Sequence, residues 1–127
     1  MRRYDVGVAS LAIEAPRKWT ENLLSQHRLP DVPSVRQGVA RRISHASLIR
    51  LALIRQLHIG LGVGVGDAIL IAEQFLDRGQ SRVLEVGQLR LALDYAELLR
   101  VLNERLADAL ETAPASRRGR PPRKALR

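Results

Sequence analysis

The chain of 127 residues contains no cysteine. Disulfides, thiolate metal sites, iron–sulfur clusters and a cysteine nucleophile are therefore excluded. Aromatic residues make up only 3% of it: one Trp, two Tyr and one Phe. So few rings cannot furnish the stacking platforms on which single-stranded nucleic acid is bound. No apolar run approaches the ~20 residues that a membrane-spanning helix needs, so no membrane partner is expected. His27, His45 and His58 lack the spacing of metal ligands, so no metal site is expected. No paired carboxylates and no nucleophile–base set stand out, so the expectation is a non-enzyme without a cofactor. Gly60 to Gly66 contains G-x-G, but it lacks the Lys-Ser/Thr of a phosphate loop and follows a helical pattern rather than a strand. It reads as a helix–helix connection.

What the chain has in excess is arginine and positive charge. The net charge is +8 and the pI about 11.3, the electrostatic footprint of a nucleic-acid or anionic-surface partner. Lys18 and Lys124 are the only lysines among 21 basic residues. Coding bias toward arginine would spread charge evenly, and the charge is not even. Residues 1–60 carry net +6, residues 61–113 net −4, and residues 114–127 net +6. Two basic segments flanking an acidic one fit two nucleic-acid contact regions around a partner-binding or self-associating segment. With 46% apolar residues, a core is within reach.

Arg2-Arg3, the apolar stretch Val6 to Ile13 and the small residue Ala15 mimic a short export signal. Asp5 at its start and Ser10 within it break the pattern, and cleavage would remove a helix the domain needs. A cytoplasmic location is expected.

Residues 5–13 begin strand-like and continue as a short apolar helix. Pro16 suits the opening of a second helix, about 16–27, with Trp19, Leu23 and Leu24 on one face and Asn22, Gln26 and Arg28 on the polar side. Two short helices joined by a tight turn make a helix-turn-helix pattern. Residues 35–43, centred on Gly38, read as a small hairpin exposing Arg36, Arg41 and Arg42. Ser44 is a good N-cap for a helix of about 45–59, with Leu48, Leu51, Ala52, Ile54 and Leu57 on its apolar face. Asp67 caps a helix of about 67–78 that turns Ala68, Ile71, Ala72 and Phe75 inward, with Gly79 at its end. Residues 82–86 read as a short strand or linker. Residues 88–112 form the longest uninterrupted helical pattern. There Leu89, Ala92, Ala96, Leu99, Asn103, Leu106 and Leu110 step as a coiled-coil seam, with Asn103 at a position that sets register. Residues 114–127 cannot build a core and read as a disordered basic tail.

The order of these elements resembles the MerR family of winged helix-turn-helix regulators. The likeness covers about residues 4–79. Tyr4-Asp5-Val6 resembles the family's opening Y-x-I/V, and Ala15-Pro16-Arg17-Lys18-Trp19 resembles the S-P-x-x-L that leads into its recognition helix. Arg41-Arg42-Ile43-Ser44 resembles the R-x-Y-S that ends the wing, with Ile43 in place of the aromatic. Leu51 to Leu61 resembles L-x-x-I-x-x-L-x-x-x-G, displaced by one residue, and Val65-Gly66-Asp67-Ala68 resembles L-x-E-A/I. Thr20 stands where the family has an arginine, and the sensing cysteines of its metal and redox members are missing. The resemblance implies binding of double-stranded DNA as a homodimer and names no inducer. It implies a mainly α fold: a winged helix-turn-helix domain over 1–80 with four short helices and a small β wing, a linker and long dimerisation helix over 81–113, and the tail.

On this reading the helix at 16–28 enters a major groove. Arg17, Lys18, Asn22, Gln26 and Arg28 reach bases or phosphates, while Arg36, Arg41 and Arg42 of the wing grip the backbone. In the tail, Arg118-Gly119-Arg120-Pro121, flanked by Arg117, Arg123 and Lys124, resembles an AT-hook. Its glycine lets the chain lie in a narrow minor groove and its arginines extend along it. The seam residues Leu89, Ala92, Ala96, Leu99, Asn103, Leu106 and Leu110 would form the dimer contact. Two other readings stand beside this one. The first is a nucleoid-type or accessory protein that binds DNA by charge alone. The second is an interaction module whose 88–112 helix binds an unidentified protein partner.

Overall fold

The computed structural model describes residues 2–29, 42–77 and 82–112. The described residues form five helices and two small two-stranded sheets, in the order β1 (Arg3–Tyr4), α1 (Val6–Ala12), α2 (Arg17–Gln26), β2 (Ile43–Ser44), α3 (His45–Leu61), α4 (Val65–Asp77), β3 (Val83–Val86), β4 (Leu89–Ala92) and α5 (Tyr95–Thr112). The protein is mainly helical. Residues 35–41 of the expected hairpin, Gly79 and the 114–127 tail lie outside the described residues.

The helix starts follow local chemistry. Asp5 caps α1, its Oδ1 accepting the Val8 N–H at 2.8 Å. Ser44 caps α3 by accepting the Ser47 N–H at 3.1 Å. Each satisfies an amide that the helix itself leaves open. Glu14 turns the chain at the end of α1 with a left-handed φ of 56°, and the Ala15 N–H donates back to the Ser10 carbonyl at 2.9 Å. Pro16, in extended backbone, is the N-cap of α2. Gly62 closes α3 in the left-handed region, at φ 72°.

Two expected boundaries move. α4 begins at Val65, so Asp67 lies in its first turn rather than at its cap. The Ala68 N–H already donates to the Gly64 carbonyl at 2.8 Å, because glycine serves adequately before a helix start.

The larger correction is at 88–112, which is not one helix. Val83–Val86 and Leu89–Ala92 pair as an antiparallel hairpin closed by the two-residue turn Gly87-Gln88, with Gly87 at φ 58°. A positive φ at the first turn position suits the twist of a tight hairpin. Asp94 then caps α5, accepting the Glu97 N–H at 3.1 Å. Leu89 and Ala92 therefore sit on a strand and cannot belong to a helical seam.

The core gathers Val6, Ala9 and Ala12 of α1, Leu23 and Leu24 of α2, Ile43, five leucine and isoleucine positions of α3, Ala68, Ile69, Ala72 and Phe75 of α4, and Leu102 and Leu106 of α5. On α5 the buried residues are Leu102, Leu106 and Ala109. The helix faces its own chain along this line, rotated from the expected seam. Of the seam residues only Leu106 is buried, Leu99 is half-buried, and Ala96, Asn103 and Leu110 are exposed. Asn103 instead accepts from His45 Nε2 at the start of α3, at 2.9 Å.

Candidate nucleic-acid interface

α2 has two unlike faces. Thr20, Leu23 and Leu24 are buried, while Arg17, Lys18, Asn22 and Gln26 are exposed. Lys18, Asn22 and Gln26 are spaced four apart, so they form one stripe along the helix. Arg17 lies beside it and donates to Glu21 at 3.0 Å. That pair is solvent-exposed, and such i,i+4 pairs contribute only ~0.3–0.5 kcal/mol, so exchanging Glu21 for another acceptor costs little. Glu21 is the sole acidic side chain on α2.

The inner face is tied down at three points. The Ser10 hydroxyl donates to the buried Thr20 hydroxyl at 2.8 Å, joining α1 to α2. The Arg55 guanidinium of α3 lies over the Trp19 ring, 4.8 Å from its centroid, and the His58 ring stacks on Trp19 at 6.0 Å and 26°. His58 Nδ1 donates to the Val63 carbonyl at 2.7 Å, which fixes the ring. Arg55 also donates to the Glu14 carbonyl at 3.3 Å, in the turn between α1 and α2. Trp19, half-buried, is thus a packing residue between helices, as its place on the apolar face predicts. These contacts hold α2 rigidly while leaving its polar stripe free, the condition for reading a groove.

Local fields run the same way. Neither α2 nor α3 carries an acidic residue in its first turn, whereas α4 has Asp67 and α5 has Glu97 there. The positive ends of α2 and α3 therefore carry no acidic side chain in their first turns. On α5, Arg100 is held by Glu97 and Glu104, each at 2.6 Å. The hydrogen bond from Arg100 holds the Glu97 carboxyl below the usual carboxylate range, and the two glutamates push the Arg100 pKa up.

Of the residues expected to contact DNA, Arg17, Lys18, Asn22, Gln26, Arg28 and Arg42 are described and all are exposed. Four of them share α2. Arg28 follows that helix, and Arg42 precedes β2. Arg36, Arg41, Arg117, Arg118, Gly119, Arg120, Pro121, Arg123 and Lys124 lie outside the described residues. Sequence reasoning passed over Arg2 and Arg3; the pairing of Arg3 with Ser44 brings that end of the chain near Arg42, which precedes β2. Their positive charge was visible, but the pairing partner lies some forty residues away in the chain. Among the described residues no cluster of His, Asp or Glu side chains is suited to hold a metal ion, and no helix is long and apolar enough to cross a membrane.

No known family model, no curated protein and no solved structure matches this chain.

Proposed function

We propose that this protein is a double-stranded-DNA-binding transcriptional regulator of winged helix-turn-helix type, acting as a homodimer in the cytoplasm. The observation that carries the reading is α2 itself: a short helix locked by Ser10, Arg55 and His58 that presents Lys18, Asn22 and Gln26 in one exposed stripe, with Arg17 alongside. Asn and Gln offer the paired donor and acceptor that adenine requires, and Arg and Lys suit guanine and phosphate. Groove readout is done by few side chains on a rigid helix, and backbone contacts position it. The pairing of β1 with the end of the 35–44 segment adds support, since a wing must be anchored to the domain that carries the helix. The tail would add minor-groove or phosphate contacts.

The homodimer cannot use the expected seam as a whole, because two of its residues lie on β4 and Leu106 is spent on the chain's own core. Apolar surface remains at the hairpin end, where Val86 and Leu89 are 57% and 69% exposed.

Fluorescence anisotropy on duplexes of different sequence, across a salt series, tests the reading. The full chain and a chain ending at Ala113 are both expected to prefer some sequences. Arg17→Ala with Lys18→Ala is expected to weaken the preferred duplex more than a random one. Equal losses on both duplexes, or a steep salt slope with no preference at all, would replace groove readout with binding by charge alone.

A further inference from the structure

A second basic locus lies at the two-stranded ladder of β1 and β2. The register sets Arg3 opposite Ser44 and Tyr4 opposite Ile43. Arg42 precedes β2; continuing the register puts it across from Asp5 and diagonal to Arg3, while Arg2, one residue before Arg3, lies on the other side with Tyr4. Such diagonal pairs sit roughly 7–8 Å apart on the same side of a ladder. Arg2, Arg3 and Arg42 are all exposed. The backbone beneath them is firm, because Ile43 is fully buried and Tyr4 packs against the core. Arg2 is directed by its own strand, its guanidinium lying 5.4 Å from the Tyr4 ring centroid. The acidic residue next in sequence, Asp5, has an oxygen committed to capping α1.

We infer that Arg2 and Arg3, with Arg42, form a phosphate clamp that grips the duplex backbone while α2 occupies the groove. The inference rests on the DNA-binding reading above and adds to it a contact zone and a role. These guanidinium groups stand in or beside a ladder of two residues per strand, too short to enter a groove and follow base edges. Arginine on a fixed backbone suits phosphate, which it meets in bidentate fashion. No exposed large apolar side chain stands in β1 or β2, as a membrane-surface contact would need. Phosphate contacts position a protein on DNA and carry no sequence information. The clamp should therefore act on affinity and salt dependence and leave preference alone.

The test uses the full chain, a preferred and a random duplex, and a salt series. Each phosphate contact contributes about 0.9 to the slope of log affinity against log salt. Arg2→Ala with Arg3→Ala should reduce that slope by about 2 and weaken both duplexes by the same factor. Arg2→Lys with Arg3→Lys should keep most of the slope, and an unchanged thermal melt should show that the alanine variant is folded. If the wild type binds but the alanine variant keeps its slope and affinity, the clamp is refuted and the α2 reading stands. If the alanine variant loses preference between duplexes, the residues read bases and the phosphate role is wrong. If the wild type binds no duplex at all, both readings fail together.

Discussion

Leu102→Ala should destabilise the whole protein, not only α5. Leu102 is 2% exposed and belongs to the same core cluster as residues of α1 and α3. Truncating a buried leucine costs ~2–5 kcal/mol, the transfer of the lost atoms plus the cavity left behind. Its near-complete burial between helices that cannot easily collapse puts the expected loss at about 3 kcal/mol. For a domain of roughly 100 residues, each kcal/mol shifts the melting temperature by about 4–8 °C, so a fall of at least about 12 °C follows. The chain carries one tryptophan, Trp19, held between Arg55 and His58 far from α5 in sequence. Its fluorescence reports on the α2–α3 packing, while far-UV circular dichroism reports on all helices. Both transitions should move together, by the same amount, at one fixed protein concentration. Leu110→Ala, on the expected seam but 39% exposed, should cost less than about 1 kcal/mol. Suppose instead that the Trp19 transition stays put or that Leu110 costs as much as Leu102. Then α5 is held by a second copy rather than by its own chain, and the packing argument is wrong.

Three further outcomes follow from single contacts. Ser10→Ala should cost about 1–3 kcal/mol in urea unfolding, because it strands the buried Thr20 hydroxyl; adding Thr20→Val should recover part of that loss, and strict additivity would argue against the bond. Gly62→Ala should destabilise by about 1–2 kcal/mol purely through its left-handed backbone, since no atom lies within 4 Å of the added methyl. Gly60→Ala, equally open but inside α3, should stabilise by about 0.5–1 kcal/mol, and the two changes sharing a sign would contradict the assigned conformations. The Glu97 carboxyl is depressed first by its hydrogen bond from Arg100, so its contribution to stability is complete above the ordinary carboxylate value of about 4.3 and fades as pH falls through the lower folded value. Arg100→Gln should return the Glu97 midpoint toward the ordinary value in a carboxyl NMR titration, and an unchanged midpoint would remove Arg100 as the cause.

Where local chemistry decides the structure, the sequence was legible. The Ser44 cap, the break after α3, the short α1 and α2 pair and the inward Ala68, Ala72 and Phe75 of α4 could all be read from spacing and capping types, whereas Ile69 is buried there and Ile71 only half-buried. The 82–94 stretch was not. Leu89, Leu91 and Leu93 alternate as a strand requires, yet leucines and alanines further on continue at helical spacing, so one long helix fitted as well. The deciding signals were the Gly87-Gln88 turn and the Asp94 cap, both short and weak beside a long apolar pattern. The face that α5 buries was misread for a different reason. A stripe of apolar residues shows that something is covered, but only the tertiary arrangement shows whether it is covered by α1 and α3 or by another copy. In the candidate interface, the α2 stripe follows from helical spacing alone. The placement of Arg2 and Arg3 near Arg42 depends on a long-range strand pairing that no local pattern announces.

The division of charge gains a physical meaning from this arrangement. Acidic residues outnumber basic ones in 61–113, and that segment packs directly against α1 through α5. Unpaired carboxylates there would draw off the arginines of the first 60 residues and weaken any anion site. Several of them are instead occupied locally: Glu97 and Glu104 share Arg100, Glu85 holds Arg90 across the hairpin, and Asp94 caps α5. Among the described residues, the ion pair from this segment to the first 60 residues, Arg105 to Glu14, runs the other way, with the base on α5 and the acid in the α1–α2 turn. It neutralises an acid next to the proposed reading helix. Arg105→Ala should therefore weaken DNA binding on every sequence by exposing the Glu14 charge, even though Arg105 need touch no nucleic acid. Glu14→Gln in the same background should restore the loss. If Arg105→Ala binds as the wild type does, or if Glu14→Gln fails to rescue it, charge clearance around α2 is not the role of this pair.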